Sequence, residues 1–144
     1  VPVRDLVTIL EAIADAAGAS KDPDAITEAV RTAIGRTICR QYQTDRGELP
    51  AISLTPALEA KLAAAIVRTE QGAILAIDPS TAQRLASRIA EAIATAVAQP
   101  GLLCAPTLRP HLARLFVRAL PNTGVISHNE VPPQLQIASV AVLD

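Results

Sequence analysis

Residues 101–112, GLLCAPTLRPHL, decide the fold, because a short apolar run gives way there to helical spacing. Leu102–Cys104 is wholly apolar, as is typical of a strand inside a sheet covered on both faces. The following apolar residues predict a helix over 108–120, and Val125–Ser127 reads as the next strand. A strand, a helix and a strand in this order predict a right-handed parallel βαβ unit.

Further strands and helices flank this unit. Ala51–Leu54 and Ala73–Ile77 are strand candidates that can pair in either sense, and Gln136–Leu143 alternates well enough for a final strand. Thr55-Pro56 and Asp78-Pro79 each place a capping residue before a first-turn proline, which predicts a helix after each. The second of these helices should bury the apolar positions Leu85, Ile89, Ile93 and Val97. We therefore expect the α/β (α+β) class, with a mixed four- to five-stranded sheet and packed helices.

The N-terminal part is predicted to be helical. A first helix has an apolar stripe and should stop at Gly18, and Asp22-Pro23 starts a second helix that should end near Tyr42. The polar stretch Gln43–Glu48 then separates this part from the strands. We predict a helical unit over 1–46 and an α/β unit over 47–144. The two stripes are Leu6, Ile9, Leu10, Ile13 and Ala17 in the first helix, and Ile26, Val30, Ile34 and Ile38 in the second.

Composition excludes some functions. Tyr42 and Phe116 are the only aromatic residues and the formal net charge is −1, so a nucleic-acid partner is not expected. Cys39 and Cys104 are far apart in apolar surroundings and are predicted to be buried, reduced thiols. No apolar run approaches the roughly 20 residues of a membrane span. The start at Val1, without Met, leads us to expect a fragment of a longer chain.

Motifs for chemistry are weak. The turn Cys104–Thr107 lacks the glycines of a nucleotide-binding loop, and no metal-ligand spacing occurs, so we expect no cofactor and no metal. Ser127, His128 and Glu130 are close in sequence, but neighbours on an extended chain usually point in different directions, which argues against a catalytic triad. We interpret the segment containing His128, Asn129 and Glu130 as an exposed polar loop and a candidate partner contact.

A basic strip is the second candidate contact. Three basic side chains should lie on one face of the helix after Pro110, and a fourth immediately precedes that proline. Most such faces are only solvated, but the alternative is docking of an acidic partner, whose charge would guide its approach. The strip consists of Arg109, His111, Arg114 and Arg118.

Three stretches resemble the FlhA-like export-gate proteins of flagellar and type III secretion systems, the FHIPEP family. The first is residues 1–15, VPVRDLVTILEAIAD, with Lys21-Asp22-Pro23. The second is 27–42, with TEAVR and RTICRQY. The third is 102–132, with LLCAP, RPHL and VISHNEVP. The resemblance runs in order over essentially the whole chain.

The resemblance implies a function. Family members carry a membrane part and four cytoplasmic subdomains, of which this chain resembles the end of the third and the fourth. They form a nine-membered ring at the cytoplasmic face of the bacterial inner membrane and receive export chaperones with cargo and soluble export components. They have no known catalytic site. The third subdomain contributes ring contacts, so Val3, Arg4 and Asp5 are candidates for subunit contact. Relatives often carry an aromatic residue where His128 stands.

A rival hypothesis is a small α/β enzyme or ligand-binding domain. Its cleft would lie at the carboxyl end of the sheet, near Pro106 and His128, where open α/β sheets commonly bind ligands. A deep pocket on which His128 and a carboxylate converge would support it.

Overall fold

The structure, a computed structural model, describes the backbone from residue 4 and the side chains from residue 5 to residue 144. The helical part comprises α1 (Arg4–Ala19), α2 (Pro23–Ala33) and α3 (Gly35–Arg40). As predicted, Asp22 caps α2, because its carboxylate accepts a hydrogen bond from the Asp24 amide at 3.1 Å.

The second helix is broken, contrary to prediction. Ile34 leaves helical geometry with φ −107° and ψ 21°, and Gly35 starts a new helix. Gly35 lies directly against the backbone of Glu130, and a Cβ at this position would overlap the Glu130 carbonyl. The i, i+4 spacing of the apolar residues continues across the break, so periodicity alone could not reveal it.

The main sheet has four strands, two of which belong to the βαβ unit. These are β1 (Leu49–Leu54), β4 (Gly101–Cys104), β5 (Val125–Ser127) and β6 (Ile137–Leu143), in the order β5-β4-β1-β6 with every neighbouring pair parallel. The predicted strand–helix–strand unit is confirmed as β4, α6 (Arg109–Phe116) and β5, although α6 ends four residues early. The α/β class and a four-stranded sheet are confirmed, but this sheet is parallel throughout and not mixed.

A separate antiparallel hairpin supplies the remaining strands. It consists of β2 (Ile66–Thr69) and β3 (Gly72–Leu75), turning at Gly72 with φ +116°. The predicted strand 73–77 thus pairs with β2 and not with β1, and β2 was missed. The helix predicted after Thr55-Pro56 is α4 (Pro56–Ala64), and it ends before Ile66. Ile66 is one helical turn from Leu62, so spacing favoured the helix, whereas cross-strand pairing decides the structure.

The core has two parts on opposite faces of the main sheet, because alternate strand residues point to opposite sides. One part, which includes Ile52, Leu102 and Val125, also takes in apolar residues of α4, α5 (Pro79–Thr95) and α6. The other contains Leu49, Leu103 and Ile126 and is joined by Cys39 of α3 and Tyr42. The helical part therefore covers one face of the sheet.

Two predictions about α5 were wrong, namely that it buries Val97 and that the Asp78 side chain caps it. Val97 lies beyond the end of α5 and is fully exposed. Asp78 occupies the N-cap position of α5, but its side chain accepts no capping hydrogen bond from the described residues. The apolar stripe of α1 faces solvent, with Leu6 51% and Leu10 57% exposed, because α1 packs mainly on α2.

Both cysteines are buried free thiols, as predicted. Burial disfavours the charged thiolate, and it raises the pKa of Cys39 to about 11 and that of Cys104 to about 12. Neither thiol is suited to nucleophilic chemistry at neutral pH.

Candidate functional site

Glu130 is buried at the junction of the helical part and the sheet, contrary to the prediction of an exposed loop residue. Its side chain has no solvent exposure, and both carboxylate oxygens bind Arg31 of α2. Arg31 Nε donates to Oε1 at 3.0 Å and Nη2 donates to Oε2 at 2.9 Å, which is bidentate geometry. Arg31 also donates to the Val125 carbonyl at 3.2 Å. One carboxylate therefore connects α2 to the end of β5.

A short 3₁₀ turn, His128–Glu130, places this carboxylate. Ser127 precedes the turn, and its amide and hydroxyl both donate to Glu130 Oε1, at 3.4 and 3.3 Å. This is a capping box, in which a glutamate three residues into the turn binds back to the first residue. The sequence Ser-His-Asn-Glu carries this pattern, so the signal for an inward-turned Glu130 was present.

Arg109 forms a second connection. The residue is almost fully buried, 8% exposed, and its Nε donates to both carboxylate oxygens of Glu28 on α2 at 2.8 Å. It also lies 3.9 Å from Glu130 Oε1 and donates to the Val125 carbonyl at 3.4 Å. Burial raises the pKa of Glu28, and the bond from Arg109 partly opposes that effect. Arg109 thus binds within the chain and is not part of a solvated strip.

A third ion pair joins α6 to the start of α2. Arg114 donates to both oxygens of Asp24, at 3.0 and 2.8 Å. This bond lowers the pKa of Asp24 and raises that of Arg114. His111 is 8% exposed, and burial is the main cause that lowers its pKa. Most of the predicted basic strip therefore faces α2.

The residues on α2 were missed in the sequence. Asp24, Glu28 and Arg31 follow the spacing i, i+4, i+7, which places them on one helical face. That spacing indicates a charged stripe on α2. It gives no partner for the stripe, because the three partners lie 81 to 99 residues away along the chain.

Besides Arg114, which is half exposed in its ion pair, three predicted contact residues remain at the surface. Arg118 lies just beyond α6 and is exposed, as are His128 and Asn129. His128 Nε2 lies 3.7 Å from Glu59 Oε1, and the histidine side chain is 52% exposed.

The proposed ring-contact residues lie at the start of α1. Val3 and the side chain of Arg4 are outside the described residues. Asp5 is partly buried, and its carboxylate accepts a hydrogen bond from the Thr37 hydroxyl of α3 at 2.6 Å. Asp5 therefore links α1 to α3.

The geometry does not assemble a catalytic group from the predicted residues. Ser127 binds Glu130 directly, and His128 points away from both towards Glu59. A cavity of about 530 Å³ does lie beside Pro106, between α2, the hairpin and α6. His111 and Glu28 line this cavity, whereas His128 does not, so the described residues do not form the pocket at His128 that would support the enzyme hypothesis.

The described residues contain neither a metal-binding cluster nor a membrane-spanning helix. No group of three or more His, Cys, Asp and Glu side chains there is close enough to hold a metal ion. No helix of residues 4–144 combines the length and the apolar character needed to cross a membrane.

Fold and junction together define a module in which an α/β sheet unit is tied by buried ion pairs to a helical unit. The chain belongs to the FHIPEP family, whose model matches residues 1–136 and ends just before β6. The recognition of export-gate relatives from sequence is therefore confirmed.

Individual relatives agree with this assignment. The chain is 36% identical to the flagellar biosynthesis protein FlhA of Salmonella typhimurium over 99% of its length, which is 20% of that protein. It superposes over its whole length on 43% of the Chlamydia pneumoniae CdsV chain in the structure of the CdsV and CdsO protein complex, with TM-score 0.87 and 27% identity. It also superposes over its whole length on 43% of a chain of the nonameric EscV cytosolic domain from the type III secretion system, with TM-score 0.79 and 25% identity. The chain thus spans about a fifth of its curated FlhA relatives.

Proposed function

We propose that this chain is a cytoplasmic module of a type III (flagellar) protein export gate. Its role is to take part in ring assembly and in docking export chaperone–substrate complexes and soluble export components, not to catalyse a reaction. The observation that carries this proposal is the match of the whole chain, in sequence and in fold, to export-gate relatives. Membership of this family also supports a position at the cytoplasmic face of the bacterial inner membrane.

Ring assembly is supported by one relative and one surface. The related EscV cytosolic domain is nonameric, which supports a nine-membered ring for the parent protein here. Next to Asp5, α1 exposes Leu6, Leu10 and Ile13, and an apolar helix face of this kind favours burial against another protein surface. We propose ring contacts around Val3, Arg4 and Asp5, continuing along this face.

Docking is supported by the exposed members of the predicted contacts. Arg118, His128 and Asn129 contact the partner protein directly, because these side chains are exposed to solvent. Arg114, still half exposed, can contact a partner while paired with Asp24. Of the buried members of the predicted set, Arg109 and Glu130 hold the sheet against α2, whereas His111 lines the cavity beside Pro106. The relative CdsV forms a complex with CdsO, which favours a protein partner for this module as well.

A pull-down tests the proposal. This chain and the whole cytoplasmic part of the parent protein are immobilised side by side and offered export chaperones loaded with cargo, and soluble export components. We expect the larger protein to retain both, and its Arg118→Glu variant to retain less of any partner that docks here. Arg84→Glu is the control, since Arg84 is an exposed arginine on α5, outside the proposed contacts. Failure of both proteins to retain any export component would refute the assignment.

A further inference from the structure

A basic pocket lies beneath α3, away from the junction ion pairs. It has a volume of about 440 Å³, within the range of about 300–1,000 Å³ typical of ligand pockets. Arg36 and Arg40 of α3 line it, and Arg46 of the following turn completes a set of three arginines. All three are exposed to solvent.

The positive charge of this pocket is not neutralised within the described chain. None of the three arginines forms an ion pair with a carboxylate of residues 5–144. No Asp or Glu of the described part lines the pocket either. Asp45 and Glu48 belong to the same turn as Arg46 and line a neighbouring cavity that Arg46 also borders, but neither carboxylate forms an ion pair with it. Concentrated charge of one sign in a concave site attracts a ligand of the opposite sign.

The walls of the pocket are held in place. Cys39 and Leu135 line it and belong to the core cluster on this face of the sheet. Gly47, with φ +77°, forms the tight turn, in which its amide donates to the Thr44 carbonyl at 2.9 Å. The Gln43 side-chain amide closes the same turn by donating to the Gly47 carbonyl at 3.3 Å. Arg46 is therefore carried on an ordered turn.

Spacing and chemistry identify the ligand. Arg36 and Arg40 are one helical turn apart, about 5–6 Å between Cβ atoms, so each can bind a separate carboxylate. Gln43, Gln134 and Gln136 also line the pocket, and their amides can both donate to and accept from a peptide main chain. Among the described residues that line the pocket there is no aromatic side chain on which a base could stack, and this favours a peptide over a nucleic acid.

We propose that this pocket binds an acidic peptide segment of a partner protein, with two carboxylates on Arg36 and Arg40 and an apolar side chain between them over Leu135. The site differs from the docking residues assigned above and does not depend on the export function. A failure of peptide binding at this pocket would therefore leave the proposed docking function testable, and a failure of that docking would leave the pocket testable.

Fluorescence anisotropy with the 144-residue chain tests the site. The probe is a fluorescein-labelled peptide, Glu-Asp-Leu-Asp-Glu, and the neutral control peptide is Gln-Asn-Leu-Asn-Gln. We expect saturable binding of the acidic probe that weakens as salt is raised, because salt screens exposed charges. Arg36→Glu and Arg40→Glu should each weaken binding by about tenfold, as expected for one charge-assisted contact. Arg84→Glu, a reversal of an exposed arginine outside the pocket, should leave it within about twofold.

Several results would overturn this proposal. They are an absence of saturable binding, equal affinity for the neutral peptide, an equal loss with Arg84→Glu, or tighter binding of an oligothymidylate than of the acidic peptide. Circular dichroism checks that each variant is folded. Arg36→Gln and Arg40→Gln, which remove charge without reversing it, should weaken binding in the same direction and serve if a glutamate variant unfolds.

Discussion

Replacing Glu130 by alanine should destabilise the fold strongly. The carboxylate has no solvent exposure and accepts two bonds from Arg31 and two from Ser127. Removal of one partner from a buried ion pair costs about 3–5 kcal/mol, since the other charge is left without compensation. Arg31 remains 26% exposed and can be partly hydrated, so we expect the lower end, about 3 kcal/mol.

Urea unfolding followed by circular dichroism measures this loss. The transition midpoint should fall while its slope stays the same, as expected when stability changes without a change in buried surface. Glu70→Ala is the control, because Glu70 is exposed in the turn of the hairpin. It should change the free energy of unfolding by less than about 0.5 kcal/mol.

A double-mutant cycle assigns the loss to the pair. Arg31→Met removes the guanidinium, and its combination with Glu130→Ala should cost less than the two single changes added together. The coupling should exceed about 1 kcal/mol, in the range found for residues in one ion-pair network. A loss below about 1 kcal/mol for Glu130→Ala, or additive single changes, would refute the argument that this pair holds the junction together.

Three further predictions follow from buried groups. Gly35→Ala should destabilise by about 1–3 kcal/mol, because the added Cβ meets a backbone carbonyl, whereas Gly18→Ala, in open space on α1, should be neutral or stabilising; urea midpoints compare the two. The pKa of His111 is lowered in the folded state, so as pH falls the unfolded chain binds a proton at a higher pH than the folded chain does. Stability should therefore rise as pH increases through the window just below 6.5, and His111→Gln should flatten this rise in urea unfolding at pH 5.5 and 7.5. Cys39 and Cys104 should react with a thiol reagent only after unfolding, because burial raises their pKa to about 11 and about 12; fast labelling of the native chain at pH 8 would contradict this.

Local patterns predicted much of the fold, because the interactions that form these elements join residues close together in the sequence. The strand–helix–strand order around Leu102–Cys104 and the cap at Asp22 both appear in the structure. The hairpin was misassigned because Ile66 satisfies helical spacing and only its pairing with Leu75 makes it a strand. The sequence also could not show which strands neighbour each other, since β1 pairs with strands about 50 and 90 residues later.

At the candidate site, too, the sequence shows local features but not the contacts between distant segments. The sequence shows Arg109, Arg114 and Glu130 as charged residues, but it does not show that Arg109 and Glu130 are buried or that all three form ion pairs. Their partners lie on α2, and nothing local to either segment records that pairing. The sequence alone does not distinguish a charged residue that is buried from one that is solvated. A charged side chain can be buried only where the folded chain supplies a partner for it.

By itself, then, the sequence determined the family, the α/β class, the order of most elements and the burial of both thiols, because each rests on local spacing or on resemblance along the whole chain. The tertiary structure alone decided that Arg109, His111 and Glu130 are buried, whereas the other residues of the strip and the loop reach solvent. It also left three arginines around α3 without a carboxylate partner in the described chain. Both outcomes depend on contacts between distant segments, since ion pairing and burial are properties of the packed chain.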